Sequence, residues 1–176
     1  MKVGFDTLVK EYVFCVRCKG TFVYQKKNLL ICSSCGFRFY MNPRPCNAAV
    51  LVRKNGEILL VRRKYEPKKG LWDLPGGFVD INESAEESLS RELQEELGIN
   101  LKTFTYLGSF YDTYLYKGAT YPTLGIVFVG KLDTQKISSL DDVAEVKFFR
   151  KEDIPFDKIA FESIRHAIRL FLKRTL

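Results

Sequence analysis

The segment Glu83–Glu96 constrains the fold of this 176-residue chain more than any other part of it. It holds six glutamates and one arginine, Arg91, although the whole chain has a formal net charge of +7. Ser84 and Glu87 form a capping-box pattern that predicts a helix start, and Gly98 predicts its end. Between them an apolar residue recurs every four positions, which predicts a helix packed on a sheet by one stripe: Ala85, Leu89, Leu93 and Leu97.

Three glutamates project from one side of this predicted helix. At 100° per residue, Glu92 and Glu96 lie about 40° apart and Glu95 lies about 60° from Glu92. Such neighbours repel by about 0.2–0.5 kcal/mol per pair, and Arg91 offsets part of this because Glu87 and Glu95 lie four residues before and after it. A divalent cation, which prefers carboxylate oxygens, would offset the rest. The alternative is an acidic helix face exposed to solvent.

The rest of the chain predicts a layered α/β domain. Segments 47–53 and 57–63 flank Asn55-Gly56, and an Asn-Gly pair between apolar runs predicts a two-stranded hairpin. Aromatic and β-branched residues predict three more strands at 103–111, 121–132 and 145–149. A second helix with one apolar face is predicted over about 159–172. Strands with helices on both sides predict an α/β layered fold.

Four of the five cysteines form two C-x2-C pairs. This pattern predicts a structural Zn²⁺ site, in which four thiolates close a tetrahedron with no open position for catalysis. A redox pair or four unliganded thiols are the alternatives. A module of this size has too small a core to fold alone, so metal binding would supply much of its folding free energy. The cysteines concerned are Cys15, Cys18, Cys32 and Cys35.

Two prolines in the segment Met41–Pro45 indicate a short, stiff connection. They predict a domain boundary near residue 43, with a zinc ribbon over residues 1–42 and the α/β domain over residues 43–176.

Composition indicates the compartment and the partners. The chain has no apolar run of about 18 residues, and Asp6 and Glu11 stand where a signal peptide would be apolar, which predicts a cytoplasmic protein without membrane contact. The C-x2-C pairs also favour a reducing compartment. The net charge of +7 and a pI near 9.1 favour anionic partners such as nucleotides or nucleic acid.

From Gly77 the sequence reads Gly-x5-Glu83-x7-Arg91-Glu92-Leu93-x-Glu95-Glu96-x-Gly98-Ile99, directly after Leu74-Pro75-Gly76. This pattern resembles the full Nudix signature with no mismatch. The resemblance implies the α/β/α sandwich of that family, with a mixed sheet, from about residue 45 to the end. It also implies that water attacks a phosphorus of a nucleoside diphosphate derivative, such as ADP-ribose, NADH or FAD, and cleaves its diphosphate linkage.

The resemblance carries the family's metal ligands onto matching positions. Glu92, Glu95, Glu96 and the backbone carbonyl of Gly76 are implied to bind catalytic Mg²⁺ or Mn²⁺, with Glu92 also a candidate base. Arg91 is implied to orient these carboxylates.

Further residues have weaker support. Glu83 is expected to pair with the signature arginine or to fix the loop before the helix. Arg62 and Arg63 are candidates to receive phosphate charge, against an ordinary surface role. Glu145 stands where many relatives carry an acidic residue near the metals, and the alternative is a solvent-facing carboxylate. Asp141 and Asp142 are weaker candidates in a predicted loop.

A zinc ribbon before a Nudix domain resembles the arrangement in NADH pyrophosphatases and related ADP-ribose or flavin-nucleotide hydrolases. This resemblance implies two alternative roles for the ribbon, forming a homodimer or shaping the active site. The Ser-Gln-Pro-Trp-Pro-Phe-Pro stretch of the NADH enzymes is absent, and residues 108–124 hold several tyrosines instead. Two alternatives remain: a module that binds nucleic acid or protein, and a hydrolase of RNA ends or damaged nucleoside triphosphates. The three signature glutamates favour an enzyme on a nucleotide-derived small molecule, because a pure binding module needs no divalent-metal cluster.

Overall fold

A computed structural model describes residues 12–26, 28–132, 137–139 and 142–174. The described chain divides into two compact units. The first contains the described part of Met1–Pro43 together with Thr113–Pro122, and the second contains the described parts of Arg44–Asp112 and Thr123–Leu176. The domain division at residues 42 and 43 remains a prediction, and residues 1–11 of its first part lie outside the described residues.

The first unit contains a small antiparallel sheet that carries the cysteines. Its strands are β1 (Phe22–Lys26), β2 (Leu29–Cys32) and β3 (Arg38–Tyr40), in that order. Four residues form its buried core, and three aromatic residues pack against them. A core of this size agrees with the expectation that a metal must contribute to folding. The buried residues are Cys15, Phe22, Leu30 and Cys32.

A six-stranded mixed sheet forms the centre of the α/β fold. The elements are β4 (Arg44–Arg53), β5 (Ile58–Arg63), β6 (Trp72–Asp73), helix α1 (Ala85–Leu97), β7 (Thr105–Tyr116), β8 (Ala119–Leu132), β9 (Val143–Phe149) and helix α2 (Glu162–Arg174). Strand β4 pairs in parallel with β8 and antiparallel with β5, and β5 pairs antiparallel with β6 and β9. The strand order is β6-β5-β4-β8-β7, with β9 beside β5.

The two faces of this sheet belong to separate cores, because neighbouring side chains of a strand point to opposite faces. Val50 and Leu60 lie in one cluster, which also contains Ile168 of α2. Leu51 and Leu59 lie in the other, which contains Leu89, Leu93 and Leu97 of α1. The predicted α/β/α sandwich with a mixed sheet is therefore confirmed.

The local signals at the ends of elements are also confirmed. The Ser84 side chain accepts a hydrogen bond from the Glu87 N–H, and Gly98 ends α1 in the left-handed region with φ 68°. The hairpin turns at Gly56, where φ is 82°. Helix α2 begins at Glu162, later than predicted, because Ile159 has an extended backbone with ψ 133° and forms a parallel bridge with Trp72 of β6.

Both α-helices are 13 residues long, whereas a membrane-spanning helix needs about 20 apolar residues. Within the described ranges, no helix has the length and apolar character required to cross a membrane.

Candidate active site

The Gly76-Gly77 loop lies directly against the carboxylates of α1. The Gly76 N–H donates to Oε2 of Glu96 at 3.1 Å. Gly76 has φ 138°, and a Cβ there would lie 2.8 Å from Cα of Ala48, so glycine is required. A Cβ on Gly77 would lie 2.5 Å from Cδ of Glu92. The two glycines therefore allow the backbone to approach both glutamates closely.

The side chain of Asn47, which is buried, links this loop to α1. Its Oδ1 accepts the Gly77 N–H at 3.3 Å, and its Nδ2 donates to the Ala85 carbonyl at 3.5 Å. The Asn47 N–H also donates to the Gly77 carbonyl at 2.8 Å. One residue of β4 thus fixes both the glycine loop and the first turn of α1, a role that the sequence did not predict.

Arg91 is the centre of the charge network on α1. Its guanidinium forms two hydrogen bonds with Glu83, at 2.7 and 3.1 Å. It also donates to Glu92 at 2.9 Å and to Glu95 at 3.1 Å. The hydrogen bonds from Arg91 lower the pKa of Glu83 to about 2. The expected contacts of Arg91 with Glu83 and Glu95 are therefore present.

The expected pairing of Arg91 with Glu87 was wrong. Oε2 of Glu87 instead accepts the Ser84 N–H at 2.8 Å, as the second half of the capping box. The helix cap uses this carboxylate, and Glu83 from the preceding loop lies against Arg91.

The carboxylates of Glu92, Glu95 and Glu96 do not form a compact cluster of ligand atoms. Among the described residues, the four cysteine sulfurs are the only group of three or more metal-ligand atoms lying within 4.8 Å of one another. Glu92, Glu95 and Glu96 are spread more widely, because Arg91 contacts the first two and the Gly76 N–H contacts the third. Glu95 is the most accessible, with 48% of its side chain exposed.

Glu96 lacks a cationic partner in the described part of the chain, and burial raises its pKa to about 8. The negative charges of Glu92 and Asp73 raise this pKa further, against the Gly76 N–H, which lowers it. Burial also raises the pKa of Glu92, although Arg91 partly opposes this. Half-buried carboxylates whose negative charges repel each other are unfavourable together unless a proton or a cation neutralises them. Their oxygen ligands and charge fit a hard divalent cation such as Mg²⁺ or Mn²⁺.

Asp73 is a buried carboxylate that was not predicted from the sequence. It pairs with Arg63 at 3.2 Å and accepts the Leu74 N–H at 2.9 Å. Burial raises its pKa to about 6, although Arg63 lowers it. A lone aspartate between Trp72 and Leu74, in an otherwise apolar run, was the available sequence signal.

The weaker candidates form contacts with the protein. Arg62 pairs with Glu145 across β5 and β9 at 3.1 Å, with about half of each side chain exposed. Arg63 is held by Asp73 and by the Pro67 carbonyl. The Asp142 carbonyl accepts the Lys64 N–H at 2.9 Å, and Asp141 lies outside the described residues.

The four cysteines of the first unit form a compact thiol cluster. Sγ of Cys15 lies 3.8 Å from Sγ of Cys35, and Sγ of Cys18 lies 3.5 Å from Sγ of Cys32. A tetrahedral zinc with Zn–S bonds of about 2.3 Å requires sulfurs about 3.8 Å apart. All four cysteines are free of disulfides. The cluster therefore has the dimensions of a closed zinc site and is compatible with a zinc ribbon.

The two C-x2-C turns have the same backbone geometry. The Lys19 N–H donates to the Cys15 carbonyl at 2.9 Å, and the Gly36 N–H donates to the Cys32 carbonyl at 3.0 Å. Both donors have positive φ, 63° and 69°. Backbone N–H groups, first that of Cys35, lower the pKa of Cys32 to about 6. A hydrogen bond with the Gly20 backbone lowers the pKa of Cys18. The thiols of Cys35 and Cys32 outweigh this effect and raise the pKa to about 12. Four crowded thiols of this kind ionise together only beside a cation.

Comparisons with known proteins agree with this fold. Residues 42–171 match the model of the NUDIX domain. An ADP-ribose pyrophosphatase of Methanocaldococcus jannaschii is 32% identical over 126 residues, which cover 72% of each chain. An NAD-capped RNA hydrolase NudC of Haemophilus influenzae is 33% identical over 111 residues, covering 61% of this chain and 41% of that protein. The chain thus spans less than half the length of the Haemophilus relative.

A solved structure shares nearly the whole fold. A NUDIX hydrolase from Nitrosomonas europaea superposes with a TM-score of 0.71 at 25% identity, covering 92% of this chain and 90% of the other. The fold and the acidic helix thus define a hydrolase of the class that uses divalent metals. The chain belongs to the Nudix family, and within it resembles the NADH and ADP-ribose pyrophosphatases.

Gly77→Ala is expected to reduce kcat/KM for hydrolysis of a nucleoside diphosphate derivative about 10- to 100-fold, the typical cost when the support of a metal ligand is disturbed, which is the role that the family resemblance implies for Glu92. The added methyl group would occupy the position of the Glu92 carboxylate. Gly125→Ala is the matched control, because a Cβ there meets its nearest atom at 3.6 Å. Steady-state kinetics of both variants would test this, and equal activities would contradict the proposed position of Glu92.

Proposed function

We propose that the chain hydrolyses the diphosphate linkage of a nucleoside diphosphate derivative, with ADP-ribose and NADH as the first candidates and FAD as another. The observation that carries the proposal is Glu96, a half-buried acid without a cationic partner in the described ranges, whose Oε2 accepts the Gly76 N–H at 3.1 Å. The Methanocaldococcus relative, named an ADP-ribose pyrophosphatase, supports this choice of substrate.

Mg²⁺ or Mn²⁺ would be held by Glu92, Glu95, Glu96 and the Gly76 carbonyl. When bound, the ion lowers the pKa of a coordinated water and neutralises phosphate oxygens. Arg91 contacts both Glu92 and Glu95 and is itself anchored by two hydrogen bonds to Glu83. It would therefore limit the positions that the carboxylates of Glu92 and Glu95 can take around the ion.

The remaining residues would act on the proton and on the phosphates. Glu92 is the proposed base, because burial raises its pKa towards the range in which a carboxylate accepts a proton efficiently. Arg62 is the better candidate for a phosphate contact, because its side chain is 47% exposed and its partner Glu145 is also accessible. Arg63 is the weaker candidate, because Asp73 already pairs with it.

A substrate panel tests the proposal. Purified protein with Mg²⁺ is incubated with ADP-ribose, NADH, FAD and nucleoside triphosphates, and the products are separated by chromatography. We expect a nucleoside monophosphate and a second phosphorylated product from at least one dinucleotide or ADP-ribose. Triphosphates hydrolysed in preference to all diphosphate derivatives would overturn the substrate assignment, and no hydrolysis of any compound would overturn the enzyme assignment.

A second candidate function is hydrolysis of a dinucleotide cap at an RNA end. The Haemophilus relatives, named NAD-capped RNA hydrolases, support this function. Residues 12–43 also support it, because they contain five lysines and arginines and no aspartate or glutamate. The same diphosphate chemistry would act on both substrates, so NAD-capped RNA belongs in the panel beside NADH.

We further propose that the cysteine cluster binds one structural Zn²⁺ and that residues 1–42 form a ribbon before a catalytic domain of residues 43–176. The sulfur spacing of 3.5 and 3.8 Å supports zinc. Five cysteines without a disulfide support a reducing, cytoplasmic location. Homodimer formation is proposed from the family resemblance alone, and sedimentation velocity would test it.

A further inference from the structure

The cysteine-bearing segment has a one-sided charge. Residues 12–43 contain five lysines and arginines and no aspartate or glutamate. The structure describes four of these five cations. None of the four forms an ion pair with an acidic side chain of the described residues. A surface with unpaired cations and no anions attracts polyanions. The four described cations are Arg17, Lys19, Lys26 and Arg38.

Two of these cations share one face of the three-stranded sheet. Leu30 and Phe39, which are cross-strand partners, point into the small core. Neighbouring side chains of a strand alternate between faces, and directly paired residues share a face. The opposite face therefore carries the cross-strand row Val23–Ile31–Arg38 and the pair Leu29–Tyr40. The register of β1 shifts between Tyr24 and Lys26, and after this shift Lys26 pairs with Leu29 and so extends the second row, Lys26–Leu29–Tyr40. We call this surface, defined by those six residues, the ribbon face.

The ribbon face combines an aromatic ring with cations. Tyr40 is 52% exposed and Val23 is 47% exposed, and Arg38 and Lys26 are also exposed. A flat sheet face with an aromatic ring for stacking and basic side chains at its edge is the arrangement that binds single-stranded nucleic acid. Each stacked base contributes affinity without sequence preference, and each cation contacts the backbone phosphates.

We propose that the ribbon face binds single-stranded RNA. The choice of RNA over DNA rests on the second candidate function, in which the hydrolysed cap is attached to an RNA chain. A second copy of this chain is a poorer occupant, because a symmetric contact through the ribbon face would place its cations against each other without an acidic residue from residues 12–43 between them.

Fluorescence anisotropy with a labelled, uncapped, 12-nucleotide single-stranded RNA tests this without requiring hydrolysis. We expect Lys26→Gln/Arg38→Gln to weaken binding about tenfold and to reduce the slope of log K against log salt by about 1.4, since each phosphate contact on a single strand contributes about 0.7. Tyr40→Ala is expected to weaken binding about fivefold or more, and Tyr40→Phe, which retains the ring, to bind like the wild type.

The matched control is Lys102→Gln/Lys158→Gln, which removes the same charge from exposed positions outside the ribbon face. Equal weakening by both pairs would show attraction by net charge only and would overturn the proposal. Absence of RNA binding by the wild type would also overturn it, as would single-stranded DNA binding more tightly than RNA. A dimer that dissociates on Lys26→Gln/Arg38→Gln would assign the face to a second copy instead.

The outcomes also separate this proposal from the proposed function. A protein that hydrolyses NADH but does not bind RNA refutes only the ribbon-face assignment. A protein that binds RNA through the ribbon face and hydrolyses no diphosphate derivative refutes only the enzyme assignment. Zinc content measured for every variant confirms that the cysteine cluster is intact.

Discussion

Glu96→Gln is expected to lower kcat/KM on the preferred diphosphate substrate about a thousandfold. The change removes one negative ligand oxygen from the proposed metal site, where a bound ion contributes several kcal/mol of transition-state stabilisation, and about 4 kcal/mol corresponds to that factor. The Gly76 N–H can still donate to the remaining carbonyl oxygen of the glutamine, so the loop geometry is retained. Glu86→Gln, at an exposed position on the same helix, is expected to keep full activity.

The stability of Glu96→Gln distinguishes loss of chemistry from loss of fold. Glu96 has a pKa of about 8 in the folded chain, against 4.5 for an unperturbed glutamate. Its contribution to folding is therefore fully present below pH 4.5 and is lost as the pH rises towards 8. Glutamine has no such loss. With zinc bound and without Mg²⁺ or Mn²⁺, the variant should have a higher Tm than the wild type at pH 8, and a lower Tm would contradict the half-buried, unpartnered state of this carboxyl.

Cys32→Ser is expected to remove zinc from the protein and to unfold the cysteine-bearing segment. Structural zinc in small modules contributes about 10–16 kcal/mol of apparent binding free energy, and the core around Cys32 contains only four buried residues. Zinc per chain should fall to well below one. Amide hydrogen exchange in β1, β2 and β3 should become as fast as in an unfolded peptide.

Cys46→Ala is the matched control for this change. Cys46 lies on β4, outside the thiol cluster, and burial raises the pKa of its thiol to about 11, so it remains neutral. This variant should keep one zinc per chain and normal exchange protection in the ribbon. Full zinc occupancy in Cys32→Ser, or equal loss in both variants, would argue against a four-thiolate site.

Local sequence patterns predicted most of the fold because each reports a short-range interaction. The Asn55-Gly56 hairpin, the Ser84 cap and the Gly98 stop depend on residues within a few positions of each other, and all three are present. The leucines of α1 predicted a buried stripe, and they pack on the sheet as expected. The family resemblance then provided the order of the layers, which periodicity alone does not determine.

The contacts within the site were less predictable because they join residues far apart in the chain. Asn47 contacts Gly77 and Ala85, 30 and 38 residues away, and no local pattern marks it. Asp73 pairs with Arg63 through the pairing of β5 with β6, which the sequence did not reveal. The prediction that Arg91 pairs with Glu87 was wrong for a related reason. Helical spacing favoured Glu87, but Arg91 contacts Glu83, which lies in the loop before the helix.

The central claim is that the carboxylates of α1, beside the glycine loop, hold a divalent cation. Electron paramagnetic resonance of Mn²⁺ titrated into the zinc-loaded protein measures this directly. We expect the wild type and Glu86→Gln to bind Mn²⁺, Mg²⁺ to compete for it, and Glu92→Gln/Glu96→Gln to leave the added Mn²⁺ free in solution. Equal Mn²⁺ binding by the wild type and the double variant, or no binding by the wild type, would contradict the account.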